Sequence, residues 1–288
     1  MIVVSTSAEE QEWLTVHNAA VAARNWSAAG LRDLLARSST RRHILARDGD
    51  LPVGAALTVV ADAYATAWIS VVPTHRKQGI GSLLWRDVNT WAIATGASAI
   101  ETRVEATDAS SVSFARARGF TVAREEPRLV FDLAAPSRSF AEPWLRLVSL
   151  GEDPGLIHGV YGVYGHTEAR AHAIARDAWQ GQILAAEAAG IQRTTVALCD
   201  GAVVGYAVLA LLPTRPDVAS HNGTFVHPDF KRLGVARALK AEQIAWARAA
   251  GFTRLEASSD PGNVAKMRLY ARLGYRKTPG WYVMRASA

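Results

Sequence analysis

Apolar and polar residues follow two rhythms along this chain, a period near 3.6 and a period of two, and the order of those rhythms occurs twice. In the first half, residues 9–23 and 27–37 read as helices. Residues 44–47 and 53–60 read as strands about Asp48-Gly49-Asp50, because Asp-Gly between apolar runs favours a tight hairpin. Residues 67–72 continue the strand pattern. Leu84, Val88 and Trp91 then recur at i, i+4 and i+7 on one helical face, and Gly96 supplies a left-handed stop. Residues 99–104 predict a strand, 108–118 a helix, and 120–123 and 129–133 two closing strands.

Residues 134–142, rich in Ala, Pro and Ser, read as a linker. The second half repeats the order. Helices are expected over 167–179 and 183–189, and strands over 195–198 and 203–212 about Asp200-Gly201. A strand at 224–226 precedes a helical face of Val235, Leu239 and Trp246 that ends at Gly251. A strand over 255–258, a helix over 263–272 and a last hairpin over 275–285 follow. A constant offset, 234 − 79 = 155, pairs Gly79 with Gly234, Pro73 with Pro228, Trp91 with Trp246, Glu101 with Glu256 and Gly119 with Gly274. One long repeat means duplication, since solenoid periods are about 20–50 residues. Alternating strands and helices make each copy an α/β layer structure, with domains expected over 1–135 and 144–288.

Composition adds bounds. The 288 residues suit two ordinary domains. No apolar run reaches the roughly 18 residues of a membrane span. The first twelve residues lack a basic segment followed by an apolar one, so no signal peptide is expected. The single cysteine, Cys199, forbids an intramolecular disulfide framework and fits a reducing, cytoplasmic setting as a small buried hydrophobe. Residues 1–140 carry 15 basic and 14 acidic side chains, and the remainder 17 and 12, so the excess of +6 sits mostly in the second half. That half suits a polyanionic ligand, or else is a solvated Arg-rich surface. Neither zinc-finger spacing nor an RNA-binding aromatic signature occurs, and no metal is expected.

The candidate chemistry sits in two loops, Arg76-Lys77-Gln78-Gly79-Ile80-Gly81 and Lys231-Arg232-Leu233-Gly234-Val235-Ala236. At a helix start, successive N–H groups converge and the helix dipole adds partial positive charge, a natural seat for phosphate. Glycine lets the main chain approach a diphosphate without Cβ collisions. One Gly-x-Gly turn is a weak signal, but two in register, each after an apolar strand and a proline, are a strong one. Neither loop fits a Walker A motif or the dinucleotide-binding fingerprint.

These segments, from Val71-Val72-Pro73 to Gly81 and from Val226-His227-Pro228 to Ala236, with the run from Asn263 to Tyr275, resemble the GCN5-related N-acetyltransferase superfamily and its acyl-CoA signature. The tandem arrangement is similar to the mycothiol synthase type and to tandem acetyltransferases of antibiotic pathways. The resemblance implies two tandem domains, each a mixed, mostly antiparallel sheet splayed open and flanked by helices. It also implies acetyl-CoA or another acyl-CoA as donor and direct attack by the amine of a small molecule. The implied cofactor contacts are Phe225, Val226, Lys231, Arg232, Leu233, Gly234, Val235, Ala236 and Asn263 in the second copy. In the first they are Val71, Val72, Arg76, Lys77, Gln78, Gly79, Ile80 and Gly81.

The implied acid for the departing thiolate is Tyr270, a phenol that stays protonated at neutral pH. The offset puts Ala115 in its place in the first copy, so the second copy is expected to be catalytic and the first non-catalytic. His221 is the nearest candidate base, or a solvent-facing loop histidine. Asn263 is a cofactor contact, a helix cap, or both. Glu168 and Asp177 are candidates to hold a cationic amine. Trp26, Trp68, Trp85, Trp144, Trp179 and Trp281 are candidate pocket aromatics or core residues. The alternatives are an aminoacyl-tRNA donor, as some tandem members use, and a non-catalytic acyl-CoA scaffold. No membrane partner is expected, and the oligomer is a monomer or a homodimer.

Overall fold

The computed structural model describes residues 2–6, 10–21, 31, 34–35, 40–61, 63–136, 140, 142–167, 175–211 and 215–288. Glu168, Trp26, most of the helix expected over 27–37 and much of that expected over 167–179 lie outside the described residues. The chain forms two compact units, residues 1–125 with 281–288, and residues 126–280. These differ from the linear ranges 1–135 and 144–288 because each half of the sequence contributes its last strand to the other unit.

In the first unit, β1 (Ile2–Thr6), β2 (Arg41–Asp48), β3 (Leu51–Ala61) and β4 (Tyr64–Val71) form antiparallel neighbours. α1 (Glu10–Ala20) packs Trp13, Leu14 and Val16 on one face of this sheet. α2 (Ile80–Ala94) packs Ile80, Leu84, Val88 and Ala92 on the other, the face that the apolar spacing predicts. β5 (Ala99–Glu105) runs parallel to β4, and α3 (Ala109–Arg116) follows it. β12 (Arg276–Ser287) then lies between β5 and the start of β6 (Thr121–Asp132). Residues 281–287 of β12 pair with β5 from Trp281↔Glu105 to Ser287↔Ala99.

The second unit repeats this with β7 (Arg146–Ser149), β8 (Gln192–Cys199), β9 (Ala202–Leu211), β10 (Val218–Val226) and β11 (Arg254–Ser258). α4 (Ile157–Thr167), α5 (Arg176–Ala188), α6 (Val235–Ala249) and α7 (Val264–Arg272) flank it. Residues 128–132 of β6 pair with β11. The sequence pattern hides α4, whose Gly159, Gly162 and Gly165 weaken helix propensity. Gly159 lets that helix lie against β9, where an added Cβ would stand 2.9 Å from Val203 Cβ.

The two closing strands expected over 120–123 and 129–133 are one strand of 12 residues, and the hairpin expected over 275–285 is a second strand of 12 residues. Gly280, after Thr278-Pro279, marks no turn. It lies against main chain, and an added Cβ would collide with the Glu126 carbonyl and stand 2.7 Å from Pro127. A backbone neighbour cannot rotate away as a side chain can. Gly280→Ala is therefore expected to destabilise the protein by about 1–3 kcal/mol, the ordinary cost of overpacking, measurable by denaturant unfolding.

Candidate active site

The two copies build the same scaffold around each loop. β4 and β5 pair only from Tyr64↔Ala99 to Thr66↔Glu101, then diverge. β10 and β11 pair only from Val218↔Arg254 to Ser220↔Glu256, then diverge. Each pair thus opens as a V, with one edge of β4 or β10 left unpaired. At its mouth, a 3-10 turn leads into a loop with two left-handed residues, Lys77 (φ 63°) and Gly79 (φ 83°) in one copy, Arg232 (φ 66°) and Gly234 (φ 94°) in the other. A non-glycine residue held there costs on the order of 1–3 kcal/mol, strain that concentrates at functional sites. The first-turn N–H groups of α2 and α6 have no intrahelical acceptor.

The register of the repeat has one exception. Strand β10 bulges between His221 and Gly223. Thr66 and Ser220 both end their parallel ladders, so above the bulge the offset is 220 − 66 = 154.

The side chains around each V differ. In the first unit a cavity of about 780 Å³ runs from the loop, Lys77 to Ser82, past Thr102–Glu105 to Ser111, Phe114 and Ala115. That volume lies within the range of cofactor pockets, roughly 300–1,000 Å³. Trp68, Trp85 and Trp281 line it, the last carried in on β12. His17, Ser70 and Glu105 also line it, and sequence reasoning missed all three. Arg76 is occupied otherwise: its Nε donates to the Val71 carbonyl (3.1 Å) and its Nη2 to the Ala20 carbonyl (2.8 Å), bracing the loop. Asp108 caps α3 by accepting from the Ser111 N–H (3.0 Å) and hydroxyl (2.6 Å). Burial pushes its carboxyl up, but those bonds and Arg76 outweigh it and hold it below the usual range.

In the second unit the chain's own side chains gather around the loop and the strand that leads to it. The carboxylate of Glu142 sits against Gly234, where an added Cβ would collide with it. Arg237 Nη2 donates to that carboxylate at 2.5 Å. The Phe225 ring folds over Gly223 and stacks on Tyr206, centroids 4.8 Å apart. Deeper, Lys240 Nζ lies 2.8 Å from His221 Nδ1 and 3.0 Å from Gln243 Oε1. The Nε2 of His221 bonds Tyr275. Lys240 is 1% exposed, and burial, reinforced by Lys266, holds its amine well below the usual lysine range. Burial, then Lys240, lowers His221 in the same way.

Both nitrogens of His221 are therefore engaged, which is the difference from a free base at a loop. Tyr270 is 2% exposed, and burial raises its phenol. It packs edge-on to Tyr275 at 4.7 Å and makes no hydrogen bond among the described residues. Burial raises Tyr275 too, with Tyr270 adding to it. Asn263 caps α7, accepting from the Lys266 N–H at 3.0 Å. Asp177 is exposed on the first turn of α5. Trp179 is a core residue, and Trp144 stacks on Phe230. Cys199 is half-buried beside a core cluster. A cleft is thus present in the copy that Ala115 had set aside.

The repeated glutamates are scaffold groups. Glu101 accepts from Arg285 at 2.9 Å. Glu256 takes a bidentate pair from Arg215 at 2.7 and 3.0 Å, with Arg254 and Arg128 beyond. Burial pushes the Glu256 carboxyl up, but the arginines outweigh it and hold it low. A depressed carboxyl contributes stability above its unfolded pKa, lost as pH falls through the folded one. Wild type is therefore expected to lose stability more steeply than Glu256→Gln as pH falls below the ordinary glutamate range, measured by urea midpoints across pH.

Among the described residues, no cluster of three or more metal-ligating side chains occurs, and no helix is long and apolar enough to cross a membrane. A family model described as "Acetyltransferase (GNAT) family" matches residues 8–120 and 157–275. No curated protein matches the chain. Among solved structures, a tandem GNAT protein from the clavulanic acid biosynthesis pathway superposes with TM-score 0.68 at 19% identity, covering 100% of this chain and 98% of its own. A GCN5-related N-acetyltransferase from Sphaerobacter thermophilus gives 0.63 at 15% identity, covering 99% and 95%. A GNAT-family acetyltransferase from Colwellia psychrerythraea gives 0.63 at 11% identity, covering 99% of both chains. At these identities the likeness is one of fold.

Proposed function

This chain belongs to the acetyltransferase (GNAT) family, with a tandem pair of its α/β domains, and from that premise we propose that it moves an acyl group from acyl-CoA to the amine of a small molecule, with the cofactor seated in the first unit. The observation that carries this reading is the 780 Å³ cavity joining the strained loop at Lys77–Gly81 to the V between β4 and β5. A diphosphate at the loop would accept bonds from the first-turn N–H groups of α2. The pantetheine arm would lie along the unpaired edge of β4 and extend the sheet by main-chain hydrogen bonds. The acyl-CoA supplies an activated carbonyl and a thiolate leaving group. The protein's part is to hold that carbonyl and to bring in a neutral amine.

Calorimetric titration with acetyl-CoA tests the seat. Wild type is expected to bind one tight equivalent. Gly79→Val places a β-branched residue at φ 83°, where nothing but backbone strain opposes it. It is expected to weaken binding about 100-fold or more, the loss of one or two charge-assisted N–H bonds at about 1.5–3 kcal/mol each. Gly234→Val is expected to leave that equivalent intact, and the reverse pattern refutes the seat. Glu142→Ala removes the internal carboxylate from the second loop, and a second, weaker equivalent is the expected result.

A further inference from the structure

The cleft of the first unit has two sides, and their side chains divide by strand alternation. Ile69 and Val71 of β4, Val104 of β5, and Tyr282 and Met284 of β12 pack with α2. The alternate residues point to the α1 side. There Trp68 packs with Trp13 and Leu14, and Trp281 pairs in register with Glu105. The Arg103 guanidinium carbon lies 4.9 Å from the Trp281 ring centroid.

On that side His17 Nδ1 stands 2.8 Å from the Ser70 hydroxyl, both residues 4% exposed and both lining the cavity. Trp13 stacks on the imidazole at 4.7 Å, one helical turn away, and fixes its plane. Ser70 is on the strand whose free edge borders the cleft. An acyl-CoA arm running along that edge from Val71 toward Thr66 passes Ser70 and Trp68 on the α1 face.

We propose that Ser70 and His17 form the relay that takes the proton from the acceptor ammonium, a step that rests on the reading of the first unit as the acyl-CoA seat. Ser70 Oγ accepts a proton from the ammonium while its own proton passes to Nδ1 of His17, a relay that uses the tautomer in which Nδ1 is the acceptor. The freed amine attacks the thioester carbonyl. The C–N bond forms, the C–S bond breaks, and the second amine proton follows the thiolate. His17 then returns its proton to solvent. The products are amide, free thiol and one proton. Charged and titratable groups around this chamber are Glu105 and Arg103 on β5, His75, Arg76 and Lys77 at the loop, Asp108 at the start of α3, and His43 on β2 behind Trp13. Burial lowers His43, opposed by Glu10 and reinforced by Arg41.

The test uses the full chain, acetyl-CoA and ethylamine as a small acceptor that is cationic at neutral pH, with thiol release as readout. His17→Gln and Ser70→Ala are each expected to lower the rate about 100-fold near neutrality, the usual scale of general-base catalysis. Their deficit closes as pH rises and solution supplies the free amine, while acetyl-CoA affinity holds within about threefold. A merely structural role would not produce that pH-dependent recovery. Variants that keep the wild-type rate, or a deficit constant with pH, overturn the relay. So does an acylated Ser70 detected by intact mass, which would make the serine a nucleophile. Wild type that binds acetyl-CoA but releases no thiol also overturns it, whereas wild type that does not bind acetyl-CoA fails the cofactor reading itself.

Discussion

Ala115→Phe is expected to abolish acetyl-CoA-dependent thiol release by the whole chain, although it leaves Tyr270 untouched. Ala115 is 4% exposed, sits on the inner face of α3 and lines the first cleft. A ring at that position either enters the space that the cofactor needs or forces α3 outward, at the roughly 1–3 kcal/mol of overpacking. Either route removes the seat, and loss of affinity of at least about 100-fold should appear in calorimetry. The companion variant is Tyr270→Phe. It deletes a buried hydroxyl that bonds no described residue, and turnover within about threefold of wild type is the expected outcome. An active Ala115→Phe with an inactive Tyr270→Phe would move the chemistry to the second copy, where family resemblance had put it.

Removing residues 281–288 is expected to unfold the first unit, far away in sequence, and to spare most of the second. The segment pairs with β5 over seven residues and buries Trp281, Val283, Met284 and Ala286. Fully burying a large apolar side chain contributes about 1.5–3 kcal/mol, and a domain's net stability is only about 5–15 kcal/mol. Loss of three such side chains and a strand's worth of hydrogen bonds would consume most of it. The expected result is rapid proteolysis within residues 1–125, loss of acetyl-CoA binding, and persistence of a protected fragment near 126–280. Uniform protection of the first unit after truncation would mean that β5 tolerates an open edge. Met284→Ala is the milder form, with about 2–5 kcal/mol lost from the same unit.

The duplication, the α/β class and both loops were legible because they depend on local rules. Glycine at a left-handed position, apolar residues at helical spacing and an Asp-Gly turn act over a few residues, so Gly79, Gly234 and the Leu84–Val88 face are visible without a fold. What surrounds each loop was not local. Position 115 against position 270 compares one side chain, whereas the state of a cleft depends on everything that reaches it. Glu142 came from a stretch read as linker, and no residue pattern marks a carboxylate that will settle on a loop 92 positions later, 234 − 142. His17 and Ser70 are 53 residues apart and look like an ordinary helix histidine and strand serine until α1 docks.

By itself the sequence determined two copies of one scaffold and two helix starts shaped for an anion, since backbone conformation follows from neighbouring residue types. Tertiary structure alone decided that the terminal strands are exchanged, that Trp281 walls the first cleft and that Glu142 sits against the second loop while Lys240 meets His221. Those outcomes turn on packing between segments distant in sequence, where volume and charge must be satisfied together and no local preference fixes the answer.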